Sequence, residues 1–461
     1  MEDKDAVIKQ LAEENKQLRE YIILLEEKIA RLEKSSSNSS KPPSSDIIDP
    51  RINLKSKRKR KPGGQKGHSK FTRELFTPEQ VDKTIIHELP KAEVLRKNLT
   101  VLAETEMVLQ QVELPTKLYK VIEHRVRLYK TTDGKIIKAL LPNDIRKAGL
   151  FTTRMTAFAG YLKARCHMSY STMEAFFADI MDIDISTGFL NKCCTRKLSE
   201  ALIPAYSDAL EHIRQADILG TDETGHNDHG STLWTWCQRT KDVIFFHINN
   251  SRSSKVLQRL LGDDFDGTLT ADYFSANRKF ARLTNVKVQY CWAHLVRDMK
   301  FLAENQLRKV KNWANKLLDI AAKIFGPNKS RVQSSYVRWR NKMEKLRIAF
   351  LRNVQKPPDH KDAQNISRRF RDGGKGYFLF LDVAGVEPTN NATEQAIRFV
   401  VLDRRVTQGT RGQFGMRWCE RAWTVVASCA AQKRSIFEFF INALNSTYRG
   451  TTYPSITPQN P

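Results

Sequence analysis

The sequence predicts an α/β fold in which a mixed sheet with helices on its faces is interrupted by an α-helical insertion and preceded by a coiled coil. Three observations predict it. Three consecutive β-rich runs, 217–221, 233–240 and 243–249, lead into alternating helix-like and strand-like runs at 253–261, 267–271, 275–283 and 286–291, then a helix from Ala293 past Phe301. Two amphipathic basic stretches, 308–325 and 335–354, separate that block from a helix beginning near residue 391. At the start of the chain, apolar residues repeat every seven positions. Three strands in succession followed by alternating helix and strand is the element order of a ribonuclease-H-like fold.

The heptad repeat spans residues 1–34. Ile8, Asn15, Ile22 and Ile29 occupy one seam position, and Leu11, Leu18, Leu25 and Leu32 follow each by three residues. Isoleucine at the first position with leucine at the second favours two parallel strands, and a lone Asn in the seam fixes register at some cost in stability. This reads as a leucine zipper that makes the protein a homodimer or a higher homo-oligomer. The alternative is a single amphipathic helix packed on its own domain.

Residues 35–70 divide into a linker and an arm. The Ser-rich, Pro-containing stretch 35–45 has too little apolar surface to fold. Behind it Lys57, Arg58, Lys59, Arg60, Lys61 and Lys66 crowd around a Pro-Gly-Gly turn, a run suited to DNA backbone contact that also occurs as a solvated tail. Residues 71–150 carry β-like runs at 81–88 and 118–128, as expected of a small α+β module. Residues 151–212 are helical in pattern. Within them 171–180, 181–185 and 186–197 have the proportions of a helix-turn-helix, which would put Thr187, Asn191, Lys192 and Arg196 against DNA; helices that only support the sheet fit the pattern equally well.

The remaining segments are 213–302, the first part of the sheet domain, 303–380, the insertion, and 381–461, its C-terminal part. Asp222 and Asp272 follow the first and fourth β-rich runs, and Glu394 lies in the first turn of the helix after the insertion. Taken singly, Asp222 reads as a turn residue, Asp272 as a helix cap, and Glu394 as the partner of Asn391 in a capping box. Capping explains neither the strand order nor the three acids together. Three carboxylates suit two Mg²⁺ ions, or Mn²⁺, because hard cations prefer carboxylate oxygen. Cys291 and His294 form a Cys-x-x-His pair lacking two further ligands for a metal site, so His294 reads as support for the acids and Arg297 as a donor to a phosphate. Trp313 and Trp339 suit base stacking or helix packing.

At this point the chain resembles transposases of the insertion-sequence 66 family. The strings are RKPGGQKGH at 60–68, TDETGH at 221–226, DYFSAN at 272–277, CWAHLVRDMKFL at 291–302, PTNNATEQAIR at 388–398 and QGTRG at 408–412. The resemblance implies that Asp222, Asp272 and Glu394 are the DDE triad of a DNA strand-transfer enzyme. The arginines after Glu394, namely Arg398, Arg404, Arg405, Arg411 and Arg417, with glycines in QGTRGQFG that let backbone approach DNA, read as contacts near the transposon end. The chain departs from the family at 71–150, where relatives carry a Cys-rich zinc module. No Cys precedes Cys166 here, His87 and His124 are too few for a structural zinc, and no zinc is expected.

Composition agrees with a nucleic-acid partner. The formal net charge of +26 favours a polyanion, through release of the counterions condensed on phosphates. Seven Cys, none in a Cys-x-x-Cys pair, argue against a disulfide scaffold. The acidic, polar start and the lack of a run of about 20 apolar residues argue against secretion and membrane insertion. The sequence thus predicts a cytoplasmic, nucleoid-associated DNA transposase acting on double-stranded transposon ends and target DNA, with or without helper proteins. The alternatives are a catalytically silent dimeric DNA-binding regulator and a metal-dependent DNA nuclease.

Overall fold

The computed structural model describes residues 4–32, 75–87, 90–97, 108–325 and 336–458. The basic arm at Lys57–Lys66 and the linker before it lie outside these residues.

Helix α1 (Lys4–Leu32) is continuous over 29 residues. Ile8, Leu11, Leu18, Ile22, Leu25 and Ile29 are all exposed along it, and Asn15 Nδ2 donates to the Leu11 carbonyl at 3.0 Å. The Leu32 side chain lies outside the described residues.

Ile52–Arg125 forms a compact unit of its own. Its described residues hold a 3₁₀ turn at Pro78–Gln80 and helix α2 (Lys91–Arg96). The Gln110 amide brackets Phe76, accepting from its N–H at 2.6 Å and donating to its carbonyl at 3.1 Å. The strand expectations need correction here: among the described residues, 81–87 and 118–127 carry no strand. A β-prone run becomes a strand only when another backbone pairs with it, and Ile85, Ile86, Val121 and Ile122 instead stay exposed. Only at Leu128 does a short hairpin begin, β1 (Leu128–Lys130) against β2 (Ile136–Lys138), in the other unit.

In that second unit, helices α3 (Asn143–Ala148), α4 (Thr153–Ala164), α5 (Tyr170–Met181) and α6 (Thr187–Lys192) lead to α7 (Ser199–Ala201) and α8 (Ile203–Arg214). Thr152, Ser169 and Ser186 cap α4, α5 and α6 by accepting from the N–H groups of Met155, Thr172 and Phe189. The two-helix outline expected at 171–197 therefore forms, with a π-helical turn at Cys193–Leu198 after α6. Cys193 and Cys194 are buried there as small apolar fillers.

The central sheet has the order β5-β4-β3-β6-β7. β3 (Ile218–Asp228), β4 (Ser231–Arg239) and β5 (Ile244–Asn249) form an antiparallel meander. After α9 (Ser254–Leu261) the chain returns to the other side of β3 as β6 (Thr268–Ala271), parallel to it. After α10 (Ser275–Thr284) it continues as β7 (Val288–Tyr290), parallel to β6. The first hairpin turns at His229 and Gly230, both with positive φ, as a tight two-residue turn demands.

The open edge of β5 is closed by side chains rather than by another strand. Ser428, Thr424 and Glu420 of α16 (Gln413–Ala431) accept from the N–H groups of Ile244, Phe246 and Ile248 at 2.9, 3.0 and 2.8 Å. Four helical residues rise about 6 Å, and two strand residues about 6.6 Å, so the two spacings stay in step. A strand edge that would otherwise invite pairing is thereby satisfied.

Helix α11 (Trp292–Ala303) starts at the far side of the sheet and runs into the insertion, α12 (Arg308–Phe325), α13 (Tyr336–Val354) and α14 (Lys361–Gly373). Trp292 anchors both, with Phe325, Phe350, Tyr377 and Phe378 at 5.1–6.0 Å between ring centroids. Trp313 donates to the Asn353 carbonyl at 3.0 Å, which ties α12 to α13 and makes it a packing residue. Helices α15 (Asn391–Thr407), α16 and α17 (Ile436–Arg449) complete the fold. No helix among the described residues is long and apolar enough to cross a membrane.

Candidate active site

Asp222 lies within β3 rather than at its end. The sequence suggests a strand stopping at Thr221, but the antiparallel ladder with β4 carries β3 through to Asp228. On the other side, the parallel pairing with β6 stops at Gly220 and Thr270. Two residues past that pair stand Asp222 on β3 and Asp272 just after β6. Both therefore project from the carboxyl end of the parallel strands, where backbone pairing gives way to space for a ligand.

Glu394 comes within electrostatic range of Asp222 because α15 lies very close to β3. A Cβ on Gly220 would sit 2.2 Å from Thr393 Oγ1, so only glycine admits the helix there. The preceding loop is stitched across three elements. Asn390 Nδ2 donates to the Thr221 carbonyl at 2.9 Å, Asn390 N–H to Cys291 Sγ at 3.2 Å, and Trp292 N–H to the Pro388 carbonyl at 3.0 Å. The capping-box alternative does not form: Asn390, not Asn391, precedes the helix, and no side chain caps it. The Glu394 carboxylate turns instead toward His294 and Arg297, with Oε1 3.6 Å from His294 Nδ1 and Oε2 3.6 Å from Arg297 Nη2.

The two aspartates each have one oxygen held. Asp222 Oδ1 accepts from Glu223 N–H at 2.9 Å; Asp272 Oδ1 accepts from Phe274 N–H at 3.0 Å and Asn277 Nδ2 at 2.9 Å. The bond from Phe274 is the local turn that the capping alternative anticipated. Glu223, adjacent to Asp222, is a fourth buried acid. Its side chain is 2% exposed, Arg252 holds Oε1 at 2.6 and 2.8 Å, and Oε2 has no hydrogen-bond partner. The Arg252 guanidinium is in turn stacked 4.4 Å from Trp234 and 4.0 Å from Phe274.

Arg252 and Arg297 offset the negative charge here only in part. Burial, then Glu223, Asp272 and Glu394, push the Asp222 carboxyl well above the usual carboxylate range; burial and Asp272 raise Glu223 to about 7 against the pull of Arg252. Glu394 Oε1 is likewise buried without a hydrogen-bond partner. Orphaned carboxylate oxygens beside mutually repelling acids are what a hard divalent cation would satisfy, so the residues present fit such an ion. A closer set of donors involves other residues. Among the described residues, ligand-type atoms of Cys291, His294 and Glu394 all lie within 4.8 Å of one another, so the fold brings a carboxylate beside the Cys-x-x-His pair.

A family model described as the transposase IS66 family matches residues 148–417, more than half of the chain and the whole of the sheet, insertion and acidic cluster. The chain belongs to the IS66 transposase family. Residues 2–74 match a second model, described as a family of unknown function (DUF6444). No curated protein matches the chain. Family membership implies a transposition function, and with it action on DNA.

In this IS66-family chain the DNA-contact candidates that lie among the described residues fall in two groups. Asn191, Lys192 and Arg196 are exposed at α6 and the π turn, where Arg196 stacks 3.2 Å over the Phe414 ring. Arg398, Arg405 and Arg411 are exposed on α15 and the loop after it, whereas Arg404 is half-buried and donates to Thr224 Oγ1 at 3.3 Å. That loop is fastened to the β3–β4 hairpin: Thr410 Oγ1 and Gly412 N–H both donate to Asp228 Oδ1 at 2.7 Å, and a Cβ on Gly409 would meet the Asn227 carbonyl at 2.1 Å. Sequence reasoning passed over Glu223, Asn277 and Asn390, although each stands inside a string already singled out.

Proposed function

We propose that the protein is a metal-dependent DNA strand-transferase with a ribonuclease-H-like core, in which Asp222, Asp272 and Glu394 are the catalytic acids. The observation that carries this reading is the alignment of Asp222 and Asp272 beyond the last paired residues of adjoining parallel strands, with Glu394 brought over them by α15. The sheet order, an antiparallel meander extended by two parallel strands, supports the core assignment.

Bound to these carboxylates, Mg²⁺ or Mn²⁺ would activate a hydroxyl and offset charge at a scissile phosphate. The protein's own groups do the positioning. Asn277 and the Phe274 N–H orient Asp272, Glu223 N–H orients Asp222, and Asn390 ties the Glu394 helix to β3. Arg297 holds Glu394 Oε2 and lies at hand for a phosphate oxygen. Exposed Arg398, Arg405 and Arg411 extend positive charge from the acids along one route for DNA, and Asn191, Lys192 and Arg196 offer a second. Water and then the freed 3′-hydroxyl of the element end attack phosphodiesters at the same acids, so no covalent protein–DNA intermediate arises. Helix α1, with its apolar seam exposed, pairs two chains as a coiled coil so that two ends are held together.

The test is to incubate purified full-length protein with labelled element ends, target DNA and Mg²⁺. Joined products are expected; cleavage without joining would make the protein a nuclease, and neither reaction in Mg²⁺ or Mn²⁺ would defeat the reading.

A further inference from the structure

The Cys291, His294 and Glu394 cluster differs in chemistry from the acidic one beside it. Cys291 immediately follows β7 and precedes α11; His294 lies in the first turn of that helix, and Glu394 in the first turn of α15. Sulfur, imidazole nitrogen and carboxylate oxygen thus come from three chain positions, within 4.8 Å of one another. Two of these atoms, His294 Nδ1 and Glu394 Oε1, are buried without a hydrogen-bond partner, and the 3.6 Å between them is too long for one. Buried polar groups cost stability unless something satisfies them. Arg297 draws the other carboxylate oxygen away, which leaves Oε1 facing the imidazole. The His294 and Glu394 side chains are each 19% exposed, while the two facing atoms themselves are buried.

We propose that Cys291, His294 and Glu394 bind a borderline divalent cation of the Zn²⁺ class, and that its binding takes Glu394 away from Asp222 and Asp272. Thiolate with imidazole selects Zn²⁺ over Mg²⁺, which accepts oxygen ligands, and three protein ligands leave the fourth tetrahedral position to water. Burial holds the Cys291 thiol above its usual range, so the ion must displace that proton as it binds. Glu394 Oε1 cannot serve both sites at once, so Zn²⁺ acts as an off-switch for a centre that works with a hard cation. The switch rests on the strand-transfer reading above; the binding site itself does not.

Co²⁺ reports on the site directly. Full-length protein titrated with Co²⁺ should develop a thiolate-to-cobalt charge-transfer band saturating at one ion per chain and displaced by Zn²⁺. Cys291→Ser should abolish the band, and His294→Ala should weaken binding by at least the roughly 10–100-fold that even outer-shell partners contribute. Asp222→Asn and Asp272→Asn should leave it intact. Absence of the band, or its persistence in Cys291→Ser with both variants folded by circular dichroism, overturns the site. For the switch, one equivalent of Zn²⁺ should weaken Mn²⁺ binding, read by the paramagnetic resonance of free Mn²⁺, and suppress joining until a zinc-selective chelator is added. Unchanged Mn²⁺ binding with cobalt ligation present overturns the switch while leaving the site. A protein that joins no DNA but shows the band defeats the strand-transfer reading alone.

Discussion

A single buried acid at the β5 edge and a cluster of acids near β3 and β6 are treated in opposite ways. At the β5 edge, Glu420 is 1% exposed; its Oε1 accepts from Ile248 N–H at 2.8 Å and faces His247 Nδ1 at 2.9 Å, and Arg417 donates to Oε2 at 2.9 Å. These partners outweigh burial and hold its carboxyl below the usual range. Just past the last β3–β6 pair, Asp222 and Glu223 are pushed upward, and Glu223 Oε2 and Glu394 Oε1 go without donors. Burial alone does not distinguish a structural acid from a reactive one. The count of satisfied oxygens does, because an unpaired buried charge persists only where something else offsets it.

The largest effect expected from this contrast is catalytic. Asp222→Asn, Asp272→Asn or Glu394→Gln should reduce joining by on the order of 10³-fold, as for loss of a principal charge-stabilising group, with DNA affinity nearly unchanged. Asp222→Asn should also raise the melting temperature of metal-free protein, since it removes repulsion from three neighbours. Near wild-type joining by one variant would remove that residue from the site.

Glu420→Ala should do the reverse. It strips acceptors from Ile248 and His247 and leaves Arg417 unpaired, for a loss of about 3 kcal/mol in chemical denaturation, while joining per folded molecule persists. A loss under about 0.5 kcal/mol would mean the edge of β5 is not held through Glu420.

The two regions should also titrate with opposite sign. For Glu420 the folded value is depressed, so its contribution is present above the unfolded pKa and is lost as pH falls through the folded one. For Glu223 the folded value, about 7, lies above the unfolded value. Metal-free protein should therefore lose stability as pH rises from about 4.5 to 7, because the folded state binds the extra proton. Mg²⁺ should raise the melting temperature more at pH 8 than at pH 6. A thermal-shift series with equal Mg²⁺ effects at both values would show that these acids do not hold the ion.

Much of this was legible in the chain. The β-rich runs gave the order of strands in the sheet domain, because alternating and β-branched runs flanked by turns mark strands locally. The insertion showed through helical periodicity, as did the continuous helix α1; Asn390 stood in a string already noticed. The misreadings at 81–88 and 118–128 have one cause. Strand propensity is local, but a strand exists only through a partner that may lie far along the chain.

The sequence by itself determined the inventory: which acids were available, that they followed strands or opened a helix, and that the chain carried the charge to meet DNA. Only the tertiary structure decided which oxygens went unsatisfied. Glu420 and Glu394 are both glutamates on C-terminal helices, and neither neighbouring string reveals that one accepts from a β5 edge while the other faces His294 across 3.6 Å. Hydrogen-bond satisfaction depends on what distant segments bring within about 3 Å, a distance set by packing rather than by sequence neighbours.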